Sequence, residues 1–186
     1  MLKEEEDDEI QEIVYDFKEY TIRCPEDLTT VLGIKYRMLN SGAYRTVVKL
    51  VGLPLVVKFP LTDMKCDKKH SEYEFRAVNK ILRYKYKYKY RILRKYVPKI
   101  YYFNKETGVL IGHYYRPLKG TKKEKNLIAN LVSDVVDSTW DGRKIDKNNK
   151  CRYGTEDMWD ANMALNKSGH VKIIDMGFFY ENKGSE

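Results

Sequence analysis

The sequence predicts an α+β fold, with an antiparallel sheet in the first half and helices prominent after it. Three observations predict this. Short β-branched runs between residues 34 and 59 are separated by Asn40-Ser41-Gly42 and by Gly52-Leu53-Pro54, the punctuation of a meander. Two longer segments, 70–82 and 124–139, carry apolar residues at helical spacing. A hairpin signal follows, with residues 163–165 and 171–174 flanking Asn166-Lys167-Ser168-Gly169.

Along the chain, residues 1–30 read as an acidic lead-in, helical or loosely ordered. Ile10, Ile13, Val14 and Phe17 recur at helical spacing, and Cys24-Pro25 interrupts the pattern. Strands are predicted over 34–39, 46–51 and 55–59. The 70–82 helix places Phe75, Val78, Ile81 and Leu82 on one side. Its extension alternates Tyr with Arg or Lys from Arg83 to Tyr90. That period of two suits a strand, yet no breaker separates it from the helix. Strands at 100–103 and 109–115 flank a turn at 104–108. The 124–139 helix carries Leu127, Ile128, Leu131, Val132, Val135 and Val136 on one stripe, and 140–154 is a polar loop.

At 186 residues the chain has room for one domain or two small lobes. A hydrophobic content of 42% excludes a disordered chain. No run approaches the about eighteen apolar residues of a membrane span. The start turns acidic from Glu4 to Glu9, the reverse of a signal peptide, so a cytoplasmic address is expected. Cys24, Cys66 and Cys151 are too scattered for a disulfide framework. Net charge is +8, and seven basic residues with no acidic one lie between Arg83 and Lys95. Such a patch favours polyanions. Interleaved Tyr and Lys suit stacking on nucleic-acid bases, or an amphipathic edge with its rings packed inward. Packing is the preferred reading, so the expected partner is a protein.

The segments that carry chemistry lie in both halves. Asp157 precedes Asn162 by five positions (162 − 157), and Asp175-Met176-Gly177 follows the hairpin. This spacing resembles the D-x-x-x-x-N loop and D-F-G element of protein kinases. The hairpin returns Asp175 to the side of Asn162, and these hard oxygen ligands suit Mg²⁺. Upstream, the segment Leu39 to Val47 resembles a Gly-rich flap. Gly42, Tyr44 and Val47 match it, while Asn40 and Arg45 stand where the family has glycine. Val56-Val57-Lys58 resembles the V-A-I-K strand, and Glu74, with Glu72 as fallback, stands where a helix partner for the lysine is expected. Residues 110–115 fall where the family's hinge lies.

Taken in this order, the motifs resemble the protein-kinase family over residues 33–180. They resemble, more loosely, the small kinases carried by bacteriophages. The resemblance implies a bilobal fold: an acidic extension over 1–30, an antiparallel N-lobe with one main helix and the hinge over 31–115, and a strongly reduced helical C-lobe over 116–186. It implies ATP and Mg²⁺ as cofactors and phosphoryl transfer to Ser or Thr hydroxyls of a protein, including the chain's own. Asp157, Lys58 and Glu74 take the catalytic roles. Gly42, Ala43, Tyr44 and Val47 cover the nucleotide, the backbone of His113 and Tyr114 holds adenine, and Asn162 and Asp175 bind metal. Thr155-Glu156 replaces the family's His-Arg, which predicts no phosphorylated activation loop. Nine residues follow Gly177 (186 − 177), which predicts no peptide-holding platform. Two alternatives stay open: a kinase-fold protein that acts by binding a partner, and a small-molecule kinase.

Overall fold

β-Branched runs pack well on a pleated surface, and amphipathic segments bury one stripe, so the sequence pattern becomes strands and helices. The structure, a computed structural model, describes residues 2–42, 44–62, 65–83, 88–139 and 162–176. In chain order these form α1 (Leu2–Glu19), α2 (Pro25–Thr30), β1 (Tyr36–Ser41), β2 (Arg45–Leu50), β3 (Leu55–Pro60), α3 (Lys65–Arg83), α4 (Tyr88–Leu93), β4 (Ile100–Phe103), β5 (Leu110–His113), β6 (Arg116–Pro117), α5 (Lys122–Thr139), β7 (Met163–Leu165) and β8 (Val171–Ile173). The fold is mixed α+β. One sheet has the order β1-β2-β3-β5-β4 and the other β6-β7-β8, with every pairing antiparallel. Among the described residues no helix is long and apolar enough to cross a membrane.

The chain divides into two units. Unit 1 comprises Met1–Glu72 and Lys99–Tyr114, and unit 2 comprises Tyr73–Pro98 and Tyr115–Glu186. In unit 1, Val48, Leu50, Leu55, Val57, Phe59 and Ile111 cluster on one face of the five-stranded sheet. Ile10, Val14 and Phe17 of α1, with Ile22 and Leu28, join the same cluster. The acidic lead-in is therefore core-forming: Asp7, Asp8, Glu9 and Glu12 are exposed while one apolar stripe packs with the sheet residues. Pro25 opens α2 because its missing N–H is an orphan in a first turn anyway. Asp27 Oδ2 accepts the Arg23 and Cys24 amides at 2.7 and 3.0 Å. Burial alone would raise the Asp27 carboxyl, but these amides hold it below its ordinary value.

In unit 2, α4 packs on α5, and α5 touches β8. Helix α5 starts with a reciprocal cap. Thr121 Oγ1 accepts the Glu124 amide at 3.3 Å, and Glu124 Oε2 accepts the Thr121 and Lys119 amides at 3.2 and 2.8 Å. Glu124 also pairs with Arg116 at 2.9 Å. Burial pushes the Glu124 carboxyl up, but the Arg116 guanidinium and the two amides overcome this and hold it at about 2.

Several elements depart from expectation: α2 forms directly after Cys24, β1 starts two residues late at Tyr36, and β5 ends at His113, short of residue 115. Helix α3 begins at Lys65, ahead of the expected start at residue 70. Residues 65–69 carry no apolar periodicity, and what anchors them is Asp67, which accepts Thr62 N–H and Oγ1 at 3.0 and 2.6 Å. The described part of the Tyr/Lys alternation is helical, as α4. Strand β6 is two residues long and gave no sequence signal.

Candidate functional site

The β7–β8 hairpin builds the clearest part of the site. Met163 pairs with Ile173, Ala164 with Lys172 and Leu165 with Val171. The turn is closed by Asn166, whose Oδ1 accepts the Ser168 and His170 amides at 3.0 and 2.8 Å. Gly169 has φ +78°, which a side chain would resist. At the open end Ile174 N–H donates to Asn162 O at 2.8 Å. That bond carries the pairing one step past β7 and β8, so Asn162 lies across from Ile174, the residue before Asp175. Met176 is fully buried. It anchors the chain just after Asp175. Asp157, Ala43 and Gly177 lie outside the described residues.

Asn and Asp supply hard oxygen atoms, which suit Mg²⁺, and a cation held between phosphate oxygens takes only one or two protein carboxylates. Among the described residues no three His, Cys, Asp or Glu side chains converge.

Lys58 sits on β3, the middle strand of the five-stranded sheet. Leu55, Val57 and Phe59 point into the core cluster, so Val56 and Lys58 occupy the other face. Across the ladder Lys58 pairs with Val47 on β2 and Leu110 on β5. Lys58 is only 7% exposed, and it is not without an interaction. Glu74 is 1% exposed and likewise engaged, whereas Glu72 is half-buried. Burying a charge without compensation is costly, so both positions carry a strong constraint. Lys58 belongs to unit 1 and Glu74 to unit 2. Among the described side chains of α3 the buried positions are Asp67, Ser71, Glu74, Ala77, Val78 and Ile81. The stripe is polar in its first half and apolar in its second. Ser71 is fully buried, and its hydroxyl has no hydrogen-bond partner among the described residues.

The flap candidate is the β1–β2 connection. Gly42 N–H donates to Arg45 O at 2.9 Å, closing the turn. A Cβ at Gly42 would meet only Arg45 O at 3.8 Å, so this glycine is not required by its own surroundings. Tyr44 stacks on His70 of α3, with centroids 3.9 Å apart and planes at 18°. That contact ties the loop to the helix. Arg45 is buried and engaged, so its charge is not displayed over the loop. Val47 is half-buried on the same face as Lys58. His70 was not singled out in the sequence. The signal was its place one turn before Glu74 on an amphipathic helix.

At the hinge candidate, His113 N–H donates to Lys99 O at 2.9 Å and Tyr114 N–H to Pro54 O at 2.7 Å. These two amides are committed to the sheet. His113 Nδ1 lies 3.0 Å from Tyr101 Oη, and Lys49 Nζ stands 4.8 Å from the Tyr114 ring centroid. Burial, with Asp7 and Glu6 on α1 adding negative charge, pushes the Tyr101 phenol up to about 12. His113 therefore has a structural bond of its own.

No protein-family model matches the chain, and no curated protein matches it either.

Proposed function

We propose that the chain is an ATP-dependent phosphotransferase of protein-kinase type, acting on Ser or Thr hydroxyls of a protein. The observation that supports the reading is the hairpin: the Ile174–Asn162 backbone bond pairs Asn162 with the residue before Asp175. In the proposal these two hold Mg²⁺, which when bound neutralises phosphate charge. Lys58, pre-paid in burial on the central strand, holds the α- and β-phosphates, and Glu74 orients it. Asp157 accepts the proton of the attacking hydroxyl. The hydroxyl oxygen bonds to the γ-phosphorus, the bond to the β–γ bridging oxygen breaks, and ADP leaves. The committed amides of His113 and Tyr114 refine the expectation for adenine: its donor must be another amide of the 110–115 segment. A fold of two lobes with ATP between them is part of this proposal, as is a place in the cytoplasm.

The test is incubation of the pure protein with γ-labelled ATP and Mg²⁺, alone and with a cell lysate, beside an Asp175→Ala variant. The reading expects label on protein from the wild type and a loss of about 100-fold or more in the variant. No label in any wild-type reaction would sink the transfer reading. Label that persists with Asp175→Ala would sink the site.

A further inference from the structure

Tyr44 sits between β1 and β2, just before the first residue of β2, and it is 45% exposed. Burial therefore does not fix its ring. Contacts do, and they form a closed circuit within unit 1. Leu61 N–H donates to Tyr44 O at 2.9 Å, which carries the β2–β3 pairing one step past Arg45 and Pro60. The next residue, Thr62, donates its N–H and Oγ1 to Asp67 Oδ2 at 3.0 and 2.6 Å. His70 follows Asp67 by three residues on α3 (70 − 67), about one turn along. Its ring returns to the Tyr44 ring, with centroids 3.9 Å apart and planes at 18°.

The backbone bond and the carboxylate clamp hold the end of β3 to the start of α3. The stack is the link that reaches the Tyr44 side chain. A stacked aromatic pair shifts a two-state equilibrium by a factor of about two to ten. That is enough to decide whether an exposed loop tip stays down on the helix or leaves it. The loop tip is also close to Lys58. Leu61, bonded to Tyr44, is three residues past Lys58 (61 − 58), about 10 Å of extended backbone, and Val47 on the same loop's outgoing strand lies directly across from Lys58.

We propose that His70 is a positioning residue for the nucleotide: it holds Tyr44, and through Tyr44 the flap from Gly42 to Val47, in place for the phosphates that Lys58 binds. The inference rests on the transfer reading above. With the stack made, the flap is preformed, and the nucleotide loses no affinity to ordering it. With the stack broken, the flap is in place only part of the time, and apparent affinity falls by that fraction. The stack acts alike on bound nucleotide and on the transition state, so its loss falls on KM and not on kcat.

The test uses the whole chain at a pH of about 8, where an ordinary histidine is neutral. Its first arm contains no nucleotide and reads the ring protons of the three histidines by NMR. The His70 signals are expected upfield, displaced by the Tyr44 ring, and are expected to return to the ordinary position in Tyr44→Leu. The second arm reads kcat and KM for ATP with Mg²⁺, and the dissociation rate of a fluorescent ATP analogue. His70→Leu is expected to raise KM by about two- to tenfold and to speed dissociation by a similar factor. His70→Phe keeps a ring to stack on and is expected to restore both. Tyr44→Leu is expected to match His70→Leu, and the double variant to lose no more than either single one, because the two residues act through one contact. Should His70→Leu fail to fold, Tyr44→Leu, at an exposed position, carries the same comparison. Histidine signals indifferent to Tyr44→Leu overturn the inference. So do losses that add in the double variant, and so does a loss that falls on kcat. An unchanged KM in both leucine variants leaves the stack a structural role only, overturns the inference and leaves the transfer reading standing. A wild type that shows the displaced signals yet neither binds the analogue nor transfers phosphate removes the transfer reading and the inference with it.

Discussion

Among the described glycines, Gly108 is the one whose surroundings leave least room for a side chain. It sits at φ +75°, and a Cβ there would meet Pro60 Cγ at 2.8 Å and Lys68 Cγ at 2.9 Å. The 104–109 turn thus rests directly on β3 and on the start of α3, and Lys68 Nζ adds a bond to Glu106 O at 3.1 Å. Gly108→Ala is expected to cost about 2 kcal/mol or more, read as a lowered denaturation midpoint. Glu124 makes a second prediction. Its folded carboxyl sits at about 2 against an ordinary 4.5. A depressed acid contributes fully above its unfolded value and loses that contribution as pH falls through the folded one. Acid destabilisation between about pH 4.5 and about pH 2 is therefore expected to be weaker in Glu124→Gln than in the wild type, measured as the change in Tm across that window. At this scale much of the candidate site was legible. A lysine among apolar strand residues and an Asn–Asp pair bracketing a hairpin signal both show in one dimension. The Tyr44–His70 stack and the committed amides of His113 and Tyr114 did not, because each depends on a neighbour far away in sequence.

Among the elements, helix α1 is the clearest case of a pattern read correctly and a role missed. The spacing of Ile10, Val14 and Phe17 pointed to a helix, but the acidic run left it as a lead-in, helical or loosely ordered. The structure places all three in the cluster that includes the sheet residues. Phe17→Ala is expected to destabilise the protein by about 3–5 kcal/mol, as a large cavity in the core does, whereas neutralising Glu9 on the exposed side changes little. Chemical denaturation of the two variants separates these outcomes. Strands β2 and β3 were legible to within a residue because β-branched runs end at Gly and Pro. Helix α3 was legible only from residue 70, because its first turn is fixed by a carboxylate clamp, Asp67 on Thr62, and not by periodicity. The 83–90 alternation misleads in the opposite sense: a period of two is present, and its described end is helical.

For the whole molecule, the sequence announced an α+β fold and antiparallel pairing, and the structure has both. It also announced an uneven charge. The division into units gives that unevenness a location, since the positive excess lies in unit 2, which carries the Asn162–Asp175 hairpin. The central claim is that this hairpin handles metal-bound triphosphate. It is tested most directly by calorimetric titration of the whole chain with a non-hydrolysable ATP analogue, with and without Mg²⁺, in the wild type, Asn162→Ala and Asp175→Ala. The account predicts binding that requires Mg²⁺ and falls by about tenfold or more in each variant. Binding indifferent both to Mg²⁺ and to the two substitutions would contradict it.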